Sequence, residues 1–208
     1  AIKRPIELTA PGERIITQYM AHQIPSLSMA FNVPSLTTQT DPRQAPALEL
    51  LSELLGGGDS SELKSRLWRG EELLISVGTH YNGISRGDEL FSIGATLNLE
   101  NLKPLDEVQA RIWAVIESLK HAPPTRSDLE RARTRIIAQQ VFTRDDLQSL
   151  ALYLGELDIA GLSPAQDEER MQILKAITPQ DIQHAARTFL TRDRLTISHV
   201  LPKETRHE

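Results

Sequence analysis

Apolar residues alternate with small or polar residues in several short segments, and this period of two predicts strands. The segments are residues 15–20, 26–33, 75–81, 91–98 and 194–201. In the third and fourth segments one predicted face is apolar and the other carries Ser, Gly, Thr or His. The apolar set of the third segment is Ile75, Val77 and Tyr81.

Helical patterns with recognisable ends fill most of the remaining chain. An apolar stripe over residues 105–119 predicts a helix that ends before Pro123 and Pro124. Asp41-Pro42 predicts the start of a helix that the glycine run at 56–58 ends. Further helix starts are predicted at Asp59 to Glu62, Ser127 to Glu130, Ser163-Pro164 and Thr178-Pro179, with a break near Asp145.

This order of elements predicts an α+β fold, with a largely antiparallel sheet covered by helices. We expect one unit over residues 15–202, preceded by an approach segment at 1–14 and followed by a tail at 203–208. The chain begins with Ala1 rather than Met, which predicts that it is a processed or excised piece of a longer protein.

Composition excludes several functional classes. The formal net charge is -5 with no long basic cluster, so nucleic acid is not an expected partner. No run of about 18 apolar residues predicts a membrane segment. The chain has no cysteine, which excludes disulfides and thiolate chemistry.

The histidines do not form a helical zinc site. Such a site needs two His one turn apart with a Glu between them, and no His in this chain is followed by Glu at that spacing. We therefore predict no catalytic residue and no metal ligand. Asp181 and His184 share a helix face but are expected to be surface groups, and His199 lies on the apolar face of the last strand as an expected core residue.

Two other features have simple structural interpretations. Ser60 and Ser61 lack a G-x-S-x-G turn and are expected to cap a helix. His80 lies on the small, polar face of its strand, where it is the histidine best placed to face a cavity. An independent hydrolase that uses His80 with an unidentified nucleophile is a third, weaker hypothesis for the chain.

The order of several motifs resembles the second half of pitrilysin/insulinase-type zinc metallopeptidases. The leucine-rich segment 45–58 ends in three glycines and is followed by Ser60-Ser61-Glu62-Leu63. The similarity continues through the strands at 73–83 and 91–97, the segment 127–135, and the ending at 178–190 with its last strand. It covers about residues 15–202.

That resemblance implies a non-catalytic half that encloses an unfolded peptide in a closed chamber with a zinc-binding catalytic half. Zinc is then expected only in that partner half, which is either fused to this chain or a separate subunit. Relatives carry an Arg and a later Tyr that reach the substrate, but Trp68 and Ile75 stand at those positions here. The predicted substrate contacts are Arg66, Trp68, Arg69, Ile75 and His80.

Because the Arg/Tyr pair is missing, one alternative function stays open. The chain would then be a non-peptidase scaffold subunit of a hetero-oligomer, with the same fold. The resemblance to exported bacterial relatives predicts a periplasmic location, with cytoplasmic and organellar locations as alternatives.

Overall fold

A computed structural model describes residues 11–21 and 24–203 of the chain. Most of the approach segment, residues 22–23 between the first two predicted strands and most of the tail lie outside the described residues. The strands are β1 (Arg14–Met20), β2 (Ser26–Val33), β3 (Leu74–His80), β4 (Glu89–Leu97) and β5 (Leu195–Pro202). The helices are α1 (Gln44–Ser52), α2 (Leu105–His121), α3 (Arg126–Asp145), α4 (Leu147–Ala160), α5 (Pro164–Ala176) and α6 (Pro179–Phe189), with π-helical turns at Glu53–Gly57 and Lys64–Trp68.

The five strands form one sheet in the order β1-β5-β2-β4-β3. The pairs β5/β2, β2/β4 and β4/β3 are antiparallel, and only β1 runs parallel to its neighbour β5. This arrangement confirms the predicted α+β class with a largely antiparallel sheet. The predicted limits of the unit, 15–202, stay a prediction.

One face of the sheet is buried beneath the helices and the other is open. Leu27, Met29, Phe31 and Val33 of β2 are buried in the core with the apolar positions of β4. The side chains between them on β2 point to the opposite face and are only half-buried; they are Ser26, Ser28, Ala30 and Asn32. The period of two therefore separates a core face from a second face that no helix covers in the described chain.

Two predicted helix starts, Ser163-Pro164 and Thr178-Pro179, agree with the structure. Ser163 and Thr178 each accept a hydrogen bond from the third helical residue in a complete capping box, and Pro follows both. The predicted start at Asp41 was wrong, because Asp41 Oδ1 accepts from the backbone N–H of Arg43 at 2.8 Å and α1 begins at Gln44. Thr125 caps α3, two residues before the predicted cap at Ser127.

The short helix after the glycine run also differs from the prediction. Its main turn is π-helical and has no side-chain cap, so the capping box expected from Asp59 to Glu62 does not form. The hydroxyl of Ser61 is buried and has no protein partner within the described chain.

The glycine run at 56–58 allows close packing rather than a left-handed helix end. None of the three has a positive φ. A Cβ on Gly56 would lie 2.7 Å from the backbone N of Thr79, and a Cβ on Gly58 would lie 2.3 Å from the guanidinium carbon of Arg135. The run does end the helix, at Gly57, and at Gly56 the backbone of β3 approaches too closely for a side chain.

A β-bulge changes the predicted faces of β3. Leu74 pairs with Leu97 and Ser76 pairs with Thr96, so Ile75 is the extra residue. Leu74 and Val77 are buried while Ile75 is exposed. The sequence-based placement of Ile75 on the apolar face was therefore wrong.

No helix among the described residues is long and apolar enough to cross a bilayer. His199 is buried, as predicted, and its Nε2 lies 3.3 Å from Gln109 Oε1 of α2.

Candidate functional site

The open face of the sheet carries a shallow cavity of about 530 Å³. It spans β3, β4, β2 and β5, and small side chains dominate its lining. Among the residues that the structure describes, no Asp, Glu, Lys or Arg belongs to that lining, and His80 is its one titratable residue. The residues on it include Ser26, Ser28, Ser76, Gly78, His80, Ser92, Gly94, Thr96, Ser198 and Val200.

The strand register sets the smallest residues of this face side by side. Gly78 of β3 pairs with Gly94 of β4, Gly94 is opposite Ser28 of β2, and Ser28 is opposite Ser198 of β5. A Cβ at either glycine would meet nothing within 4 Å, and neither glycine has a positive φ. Neither the backbone nor the packing of this chain therefore requires glycine there.

Of the five predicted contacts, His80 is the one that lines this cavity. Its side chain is exposed at the end of β3, and its backbone carbonyl accepts from Ser92 Oγ at 3.4 Å. No described residue forms a hydrogen bond with the imidazole of His80. The contact to a nucleophile or to an orienting acid, on which His-dependent covalent catalysis depends, is thus missing from the described residues.

The two arginine candidates are engaged by neighbouring groups. Arg66 pairs with Glu62 at 2.9 Å and donates to Ser118 Oγ of α2 at 3.4 Å, which directs its guanidinium toward the helical layer. Arg69 donates to the carbonyl of Asp59 at 2.5 Å and to Ser65 Oγ at 3.0 Å. Both side chains therefore tie the segment around the second π turn together.

The two apolar candidates are exposed on adjacent elements. Trp68 ends the π turn at Lys64–Trp68 and is 41% exposed, and Ile75 at the bulge of β3 is 43% exposed. β3 packs against that π turn. Exposed large apolar side chains on neighbouring elements suit contact with another chain.

A buried polar cluster lies away from the open face, between α1, α3, α4 and α5. Arg170 donates to Glu49 Oε2 at 2.5 Å and to Asp167 Oδ1 at 3.0 Å, and Tyr153 Oη accepts from Gln140 Nε2 at 2.8 Å. Burial raises the pKa of Glu49, an effect that Arg170 partly offsets. Burial also raises the pKa of Tyr153 to about 12. We name these residues the buried polar cluster and interpret it as a structural tie between helices.

A second cavity, of about 540 Å³, lies between the loop after β2 and the end of α6. Its charged groups are Asp88 and Arg194. Arg194 donates to the carbonyl of Asn32 at 3.0 Å and lies over the ring of Phe189, so it already has structural partners. None of the five predicted contacts lines this cavity, and the open sheet face is the better candidate site.

The described residues do not fit a zinc ion. No three side chains of His, Cys, Asp or Glu come together as possible ligands anywhere in residues 11–21 and 24–203.

Comparison with known proteins identifies sequence and fold relatives. A family model described as the peptidase M16 inactive domain matches residues 2–136, which is more than half of the chain. No curated protein sequence matches the chain.

Solved structures share the fold. A protease from Helicobacter pylori is 21% identical with a TM-score of 0.82, and the match covers 94% of this chain and 46% of that protease. The inactive peptidase domain of a zinc protease from Bordetella parapertussis is 21% identical with a TM-score of 0.77, over 92% of this chain and 97% of that one. A periplasmic protease from Escherichia coli is 18% identical with a TM-score of 0.70, over 93% of this chain and 21% of that one.

At these identities the structural matches show the fold alone. The chain spans about half the length of the Helicobacter pylori protease, of which it covers 46%.

Proposed function

The chain belongs to the peptidase M16 inactive-domain family, and on that premise we propose that its open sheet face forms one wall of a closed chamber. A zinc-bearing catalytic half would form the other wall and hydrolyse an unfolded peptide held between them. This chain would contribute no catalytic group, and its part would be to enclose the peptide, limit access by folded proteins and exclude bulk water.

The observation that carries this proposal is the uncharged cavity of about 530 Å³ on the open face. Solvent-exposed protein surface is normally rich in charged side chains, yet this lining has none. A peptide of variable sequence needs a wall that neither repels nor fixes particular charges. Serine and threonine hydroxyls can donate or accept hydrogen bonds toward a peptide backbone.

The glycine pair supports close approach of another chain. Gly in a strand interior weakens the strand and often marks a place where a ligand or another backbone comes close. Gly78 and Gly94 are adjacent across β3 and β4 with open space above them. A peptide lying over this pair would reach the level of the sheet without meeting a side chain.

The five predicted contacts keep distinct roles within this proposal. His80 would contact the peptide within the cavity, and Trp68 and Ile75 would supply apolar contacts next to it. Arg66 and Arg69 would bind peptide carbonyls or carboxylates only after exchanging their present partners, Glu62 and Asp59.

A periplasmic location is part of the proposal. Its support is the fold similarity to a periplasmic protease from Escherichia coli.

One observation favours a second function, a scaffold subunit of a hetero-oligomer with no role in peptide hydrolysis. Trp68 and Ile75 stand where the resemblance expects Arg and Tyr, so a transition-state contribution from this half has no obvious residues. The two functions differ in whether the assembled protein binds and cleaves peptides.

The test compares this chain alone with the same chain combined with its catalytic half. Zinc content and chelator-sensitive cleavage of an unfolded peptide are measured in both samples. Stoichiometric zinc and cleavage in the combined sample alone support the chamber-wall function. Zinc bound by this chain alone contradicts it, and a well-formed complex without cleavage favours the scaffold.

A further inference from the structure

Helix α4 is attached to the molecule through few of its fourteen residues. Leu157 and Ala160 are its buried residues, and both lie outside the main core cluster. By comparison, α2 buries five side chains in that core. Most helical stability in proteins comes from packing one face against the rest of the molecule, and α4 has little of it.

The solvent side of α4 carries large apolar side chains in addition to its exposed Glu156 and Asp158. Six large apolar side chains of α4 and the end of α3 are exposed, by between 42% for Leu154 and 84% for Leu147. We call them the apolar patch; they are Val141, Phe142, Leu147, Leu152, Leu154 and Ile159. A helix that is apolar on nearly all sides is normally buried in the assembled protein.

The apolar patch is large for a free surface. Its side chains expose on the order of 600 Å², at the upper end of the largest patch on a typical monomer. A standard interface buries about 800 Å² on each partner. The patch is therefore close to the size that a stable contact needs, and acidic Asp145, Asp146, Glu156 and Asp158 lie around it.

We propose that the apolar patch is the surface on which the catalytic half docks. This inference rests on the proposed function, in which a catalytic half forms the other wall of the chamber. The chain covers 46% of the Helicobacter pylori protease with the same fold, so a partner of similar size needs a contact surface. In the proposed function the open sheet face is occupied by peptide, and α4 carries an exposed apolar surface outside that face.

The buried polar cluster holds this surface in place. Tyr153 of α4 accepts hydrogen bonds from Gln140 of α3 at 2.8 Å and from Arg170 of α5 at 3.4 Å. These bonds fix the rotation of α4 although few of its apolar residues are buried. A docking helix that is oriented before contact loses less conformational freedom on binding.

The first test is amide hydrogen exchange over residues 147–160, measured in the complete protein that contains both halves and in this chain alone. We expect exchange of the α4 amides to be at least tenfold slower in the complete protein. Equal exchange in the two samples overturns the proposal. Protection that grows with the concentration of this chain alone would assign the patch to a second copy and also overturn it.

The second test uses a matched pair of double variants. Leu152→Glu with Ile159→Glu places charges in the apolar patch, and Leu99→Glu with Leu102→Glu places them at similarly exposed sites between β4 and α2. With far-UV circular dichroism unchanged, the α4 variant should raise the dissociation constant between the halves at least tenfold, and the loop variant less than twofold. Equal effects of the two variants contradict the proposal.

Peptide cleavage is measured separately from docking. If the α4 amides are protected in the complete protein but no peptide binds, the proposed function is contradicted and the docking surface is supported. If the complete protein cleaves peptide in a zinc-dependent way while the α4 amides exchange as fast as in this chain alone, the docking surface is contradicted and the proposed function is not.

Discussion

Gly78 and Gly94 lie directly opposite each other on β3 and β4, and a Cβ at either position would meet nothing within 4 Å. Because neither glycine is needed for the fold, Gly78→Ala and Gly94→Ala should each raise the free energy of unfolding by about 0.5–1 kcal/mol. The added methyl groups should also raise KM for an unfolded peptide in the complete protein. Urea unfolding and steady-state kinetics measure the two effects.

The matched control for this pair is Ala110→Ser, which adds one atom on the exposed side of α2. It should leave KM unchanged. If the glycine variants also leave KM unchanged, the peptide does not lie over the pair.

Gly56 should respond in the opposite direction. A Cβ there would lie 2.7 Å from the backbone N of Thr79, and a backbone atom cannot move aside as a flexible side chain can. Gly56→Ala should therefore destabilise the fold by about 1–3 kcal/mol, the usual cost of overpacking, as measured by the urea midpoint. Equal stability of Gly56→Ala and Gly78→Ala would contradict the close packing of the π turn on β3.

The pair of Arg170 and Glu49 should make stability depend on pH. Burial raises the folded-state pKa of Glu49 above the usual 4.5 even with Arg170 beside it. The carboxyl group of Glu49 therefore binds its proton more tightly in the folded chain than in the unfolded chain. As pH rises from about 4.5 through the folded pKa, Glu49 increasingly destabilises the folded chain. Arg170→Met removes the compensating charge and should raise that pKa further.

We expect Arg170→Met to cost about 3 kcal/mol at pH 7 and less at pH 5, in urea titrations at both values. Adding Glu49→Gln should recover part of the loss at pH 7. A loss that is equal at both pH values would show that packing, not the unpaired carboxylate, causes the effect.

Asp181 should stabilise the fold at neutral pH only. Burial alone would raise its pKa, but hydrogen bonds from Thr178 and the nearby Arg43 together lower it. Its contribution is therefore complete above the unfolded value of 3.8 and is lost as pH falls through the folded pKa. Asp181→Asn should cost about 0.5–1 kcal/mol at pH 7 and progressively less as pH falls below 3.8, and a cost that does not decrease with pH would exclude the charge as its source.

Trp68 and Ile75 test the apolar contacts next to the cavity. Because both side chains are partly exposed, Trp68→Ala and Ile75→Ala should each destabilise the fold by less than the roughly 2–5 kcal/mol of a truncation in the core. KM for an unfolded peptide should rise severalfold, whereas Lys175→Ala at the exposed end of α5, outside the cavity lining, should not change it. Unchanged KM in all three variants would remove Trp68 and Ile75 from the substrate contacts.

The sequence determined those features that depend on neighbouring residues. Alternation fixed which residues of β2 and β4 face the core, since successive side chains of a strand point to opposite faces. Ser163 and Thr178 marked helix starts because a cap needs a side chain three residues from its donor. The missing zinc ligands could also be seen without a structure, because that motif lies within a single helical turn.

The tertiary structure decided what depends on distant parts of the chain. Gly78 faces Gly94 only through strand register, and the bulge at Ile75 turns that side chain away from the core despite its apolar character. Glu49 and Arg170 are 121 positions apart, and α4 has an apolar pattern that would equally suit a core helix. Such features follow from how elements pack, and the local sequence of α4 does not show which of its apolar residues remain exposed.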